Sequence, residues 1–96
     1  MGRTDDSRYG PDALLLANLG STPQAALRHL VDEFERRGWR DDGSSALAVI
    51  QLLESSGGAA PWRKAADAVP RRFLTANHVR RRDLEGALRD ASAGAG

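Results

Sequence analysis

The 96-residue chain contains no cysteine, which excludes disulfides and thiolate metal sites and fits a reducing compartment. No apolar run approaches the roughly 20 residues that a membrane helix needs. The opening residues, Met1 to Ser7, are polar and acidic, without the apolar centre of a secretory leader. These absences lead us to expect a cytoplasmic protein with no membrane partner. β-Branched residues are also few: four Val, one Ile and three Thr, against sixteen Ala and twelve Leu. Strands favour β-branched and aromatic side chains, and helices favour Ala and Leu. With no sustained period-2 alternation either, the chain reads as all-α, a compact bundle of five or six short helices. Its length suits one domain, expected over 11–91, between a disordered arm (1–10) and a disordered tail (92–96).

Catalytic signatures are missing as well. The paired carboxylates Asp5-Asp6, Asp32-Glu33 and Asp41-Asp42 are sequence neighbours, which do not share a helix face. Neither histidine, His29 or His78, has the Cys or carboxylate pattern of a zinc site. The serines lack a His base and a nucleophile elbow, and Gly57-Gly58 lacks the Lys-Ser/Thr of a phosphate loop. We expect a non-enzymatic module with no metal and no cofactor.

The helical pattern is plainer. Pro11 is placed to open a first short helix carrying Leu14, Leu15, Leu16 and Leu19, stopped by Gly20. A second begins near residue 23, either with Thr22 as N-cap and Pro23 at N1 or with Ser21 and Gln24 as a capping box. Leu27, Leu30, Val31 and Phe34 form its apolar stripe. Gly38 suits the left-handed position after it, with Trp39 closing on Phe34 as a structural plug. Asp42 or Ser44 is expected to cap a third helix, whose apolar residues from Ala46 to Leu53 run nearly all round and place it in the core. Ser55 to Gly58 reads as a flexible loop. Pro61 at N1 opens a fourth helix bearing Trp62, Ala65, Ala66 and Val69, which Pro70 either ends or kinks. The last helix carries Leu84, Ala87, Leu88 and Ala91, with Gly86 expected at a close helix crossing.

Charge is distributed unevenly. From Trp62 to Asp83 there are seven basic residues (Arg63, Lys64, Arg71, Arg72, Arg80, Arg81 and Arg82) against two acids, a net +5 in a chain that is +1 overall. Polarised surfaces suit macromolecular partners. The thirteen Arg against one Lys, with abundant Ala, also match the composition of GC-rich bacterial genomes.

Residues 46–82 look like a helix-turn-helix: Pro61–Val69 as first helix, Pro70-Arg71-Arg72 as turn, and Phe73 to Arg82 as recognition helix. That resemblance implies DNA binding through a unit spanning about 61–82. Arg72, Asn77, His78, Arg80 and Arg81 would face the groove, where Arg pairs with guanine and Asn with adenine. Arg63, Lys64, Arg71 and Arg82 would contact phosphates. The alternative is a protein–protein adaptor. Five or six short helices also resemble death-fold-like bundles, which associate through opposed charged faces and form homo-oligomers. Here an acidic face of Asp32, Glu33, Glu35, Asp41 and Asp42 would oppose the basic stretch. A remoter alternative is a carrier-protein-like domain, since Asp42 to Val49 resembles the phosphopantetheine serine motif of acyl and peptidyl carrier proteins. Ser45 would carry the arm, although Ala46 stands where that motif has Leu. An ordinary helix N-cap accounts for these residues more simply.

Overall fold

A computed structural model describes residues 13–95; the expected arm over 1–10 and the start of the first helix at Pro11 lie outside the described residues. In chain order the elements are β1 (Ala13–Leu15), one 3-10 turn (Leu16–Asn18), α1 (Pro23–Arg36), α2 (Ser44–Ser55), β2 (Ala59–Pro61), α3 (Trp62–Asp67), α4 (Arg71–Asn77) and α5 (Arg81–Ala95). The protein is thus mostly helical, with a small two-stranded antiparallel sheet that corrects the all-α expectation. Leu14 and Leu15, expected in a helix, instead pair with the chain after α2, in the register Ala13–Pro61, Leu14–Ala60 and Leu15–Ala59. Ala59 and Ala60 supply backbone hydrogen bonds and small volume rather than β-forming side chains, so the partner strand leaves no alternation to read.

Local chemistry explains most helix boundaries. Thr22 caps α1, its hydroxyl accepting from the Ala25 amide at 3.1 Å, with Pro23 at N1. Three helices then end in the same way. The amide just after the left-handed residue donates to the carbonyl five residues back: Trp39 to Phe34 (2.9 Å), Gly58 to Leu53 (2.6 Å) and Val79 to Leu74 (2.9 Å). Gly38 and Gly57 take the left-handed position in the first two endings, and His78, at φ 55°, takes it in the third. The expected flexible loop at 55–58 is therefore an ordered helix ending that delivers β2, with the Leu16 amide donating to the Gly58 carbonyl at 2.8 Å. Pro61 lies just before α3, as the last residue of β2, rather than inside the helix.

Pro70 breaks the chain. Its φ and ψ of −61° and 144° are extended, and it stands as the N-cap of α4. The expected recognition helix over Phe73–Arg82 is corrected to Arg71–Asn77. His78 turns the chain out of helix, and Arg81 and Arg82 already belong to α5. Ser92 to Ala95, expected as a tail, continue α5. Ser92 is buried and its hydroxyl accepts from Asn18 Nδ2 at 3.4 Å.

The core is built from Leu14, Leu30, Phe34, Ile50, Leu53, Leu84 and Leu88, all fully buried. α5 lies along both α3 and α1, where Ala65, Ala66, Ala87 and Ala91 keep the elements close. His29 links α1 to α5, its Nε2 lying 2.7 Å from the Ala91 carbonyl. α2 is less enclosed than its apolar run suggests, because Leu47 is 42% exposed. Among the described residues, the glycine held by packing is Gly20, where an added Cβ would lie 2.8 Å from the Ala26 amide nitrogen. Gly86 meets nothing within 4 Å, so no helix crossing within this chain requires it.

Candidate functional site

The basic stretch divides into residues committed to the fold and residues facing solvent. On α3, Trp62, Ala65 and Ala66 turn inward, leaving Arg63 and Lys64 exposed. On α4, Phe73 alone is buried, and Arg71, Arg72, Thr75 and Ala76 form the outward side. Phe73 packs into an aromatic cluster, 5.3 Å from Phe34 and 6.0 Å from Trp39 between ring centroids. Trp39 is therefore a structural plug, half-buried, with Arg37 over its ring.

Two of the expected recognition residues are occupied within the chain. Asn77 clamps the α1–α2 turn: its Nδ2 donates to the Arg40 carbonyl (2.9 Å) and the Phe73 carbonyl (3.0 Å), and its Oδ1 accepts from the Arg40 amide (2.7 Å). Arg81 folds back onto the end of α3, with Nη1 donating to the Ala66 carbonyl at 2.8 Å and Nε 3.5 Å from Asp67. Both therefore join elements together. A polar residue one turn after a buried aromatic, at the end of a helix, was the available sign that Asn77 belongs to the framework.

The other cations remain outward. Arg63, Lys64, Arg71 and Arg82 have no acidic partner among the described residues. Arg80 makes a long contact of 3.8 Å with Asp83, whose carboxylate also accepts from the Arg80 amide. Arg72 reaches Ser44 Oγ at 3.5 Å and lines a groove of about 460 Å³ with Arg40, Asp41, Asp42 and Phe73. His78 is exposed at the end of α4.

The five acids do not make one open face. Glu33 is 4% exposed and is bonded by Arg36 (2.6 Å) and Arg37 (2.9 Å). Asp41 accepts from the amides of Gly43, Ser45 and Ala46, and Asp42 accepts from the amide of Ser44. The pair thus caps α2 from upstream of Gly43, with Asp41 contributing a cap the sequence did not single out. Hydrogen bonds from Ser44, aided by the charge of Arg72, hold the Asp42 carboxyl below the usual 3.8. Asp32, Glu35 and Asp42 are exposed without an ion-pair partner, and of these three Asp42 alone accepts a hydrogen bond. Ser45, the residue that would carry a prosthetic arm, is buried at 2% exposure.

No group of three or more His, Cys, Asp or Glu among the described residues can hold a metal ion. No helix among them is long and apolar enough to cross a membrane. The chain matches no protein-family model, no curated protein and no solved structure.

Proposed function

We propose that this chain is a small non-enzymatic DNA-binding module that uses α3, the turn over 68–70 and α4 as a helix-turn-helix. The observation that carries the reading is the break at Pro70. It starts α4 at Arg71 and leaves Arg71 and Arg72 outward, while Phe73 buries itself and Leu74 and Asn77 hold the helix to the body. Recognition helices present their N-terminal residues to base edges, and Arg71 and Arg72 are suited to guanine or to phosphate. Arg63 and Lys64, on the outward side of α3, supply phosphate contacts. Asn77 and Arg81 drop out of the contacting set, being used inside the fold, and Thr75 and Ala76 extend the outward side of α4.

The test is a fluorescence-anisotropy titration of a labelled duplex at several salt concentrations. Binding should weaken as salt rises, and Arg71→Ala with Arg72→Ala should cost about 1–3 kcal/mol per residue that reaches a base edge. A double variant that binds like the parent sinks the reading. The adaptor alternative keeps the exposed acids Asp32 and Glu35 of α1 and the exposed cations Arg63, Lys64 and Arg71 as its charged surfaces. A chain that leaves the duplex free but self-associates in size-exclusion chromatography takes that second reading instead.

A further inference from the structure

Gly86 is a glycine that this chain does not need for its own packing. It sits inside α5, where glycine costs about 1 kcal/mol relative to alanine, and a Cβ there would meet nothing within 4 Å. It lies in a groove of about 630 Å³ between α5, the end of α4 and the α1–α2 turn, with Trp39, His78, Arg82 and Arg89 around it. Arg82 and Arg89 lie four residues before and three after Gly86, so they flank it on one side of the helix, about 10 Å apart along the axis.

The groove's charge is unbalanced. Its two acids are answered within the chain, Asp83 by Arg80 and Asp90 by Arg37. Arg82 has no acidic partner among the described residues, and Arg89 lies over the Trp62 ring at 5.3 Å rather than against an acid. His78 stands in the left-handed region at φ 55°, where glycine would be less strained, and it both ends α4 and lines this groove. The groove therefore begins where α4 stops.

We propose that the Gly86 groove seats the sugar–phosphate backbone of DNA. Gly86 is the notch that lets the backbone approach α5, and Arg82 and Arg89 contact phosphates on either side. Only charge and close approach are needed, and this contact would fix register rather than read sequence. The inference rests on the DNA reading and adds to it a second, sequence-independent contact region.

The test uses the full chain and a labelled duplex in the same anisotropy titration, with a thermal melt of each variant. Gly86→Gln should fill the notch and weaken binding about tenfold, or 1.4 kcal/mol, without lowering the melting temperature. Arg82→Ala should lower the slope of log affinity against log salt by about 0.9, the value for one phosphate contact. Gly86→Gln binding as tightly as the parent, or Arg82→Ala with an unchanged slope, overturns the groove proposal; if Arg71→Ala and Arg72→Ala still weaken binding, the DNA reading survives. A parent chain that ignores duplex at every salt concentration overturns both.

Discussion

Asn77→Ala separates a contacting role from a framework role. If Asn77 read adenine, the substitution would reduce DNA affinity and leave stability alone. The structure predicts the opposite emphasis, because Asn77 makes three hydrogen bonds of 2.7–3.0 Å, two joining α4 to Arg40 and one back to Phe73 within the helix. A neutral hydrogen bond contributes about 0.5–1.5 kcal/mol net. Arg40 is exposed, so water replaces part of the loss, and a total of about 1.5–3 kcal/mol follows from the lower half of that range. For a domain of this size each kcal/mol moves the melting temperature by about 4–8 °C, giving an expected fall of about 6–24 °C. Circular dichroism melts would measure it, and urea titration should show a lower midpoint with an unchanged slope. A variant melting within about 2 °C of the parent would refute the framework role.

Two glycines make opposite predictions for one substitution. Gly20→Ala should destabilise by about 1–3 kcal/mol, because the new Cβ would press on the Ala26 backbone at 2.8 Å. Gly86→Ala should stabilise by up to about 1 kcal/mol; urea midpoints for both variants check the pair, and matching signs would contradict the packing described. Asp42 carries a lowered carboxyl pKa, with Ser44 hydrogen bonds as the main cause. A depressed carboxylate adds stability above its unfolded pKa, and that stability is lost as pH falls through the folded value. The parent should therefore lose stability faster than Asp42→Asn below about pH 4, and parallel urea midpoints between pH 6 and pH 2 (roughly the acid limb) would deny Asp42 that role.

What was legible in the sequence was mostly local. Thr22-Pro23 and Gly38-Trp39 mark the ends of α1, because each ending is completed within a few residues by the backbone's own hydrogen bonds. The spacing of Leu84, Ala87, Leu88 and Ala91 likewise gives the buried side of α5. Pro70 was ambiguous in sequence, since an apolar period runs through it; its extended ψ resolves the ambiguity as a break. The misses involve distant partners or unusual backbone. Leu14 is in a strand only because Ala60, far along the chain, pairs with it. His78 ends α4 from a conformation that side-chain pattern does not announce. Within the basic stretch, sequence located the charge but could not tell that Arg81 is spent on the Ala66 carbonyl while Arg82 is not.

The attachment of α4 has a consequence for how this module can change over generations. Phe73 is its one buried residue, and Asn77 is its tie to the neighbouring turn. Positions 71, 72, 75 and 76 are exposed, outside the packed interior. Surface substitutions of that kind typically move stability by less than about 0.5 kcal/mol. The outward side of α4 can therefore drift toward new targets while the body that holds it stays the same.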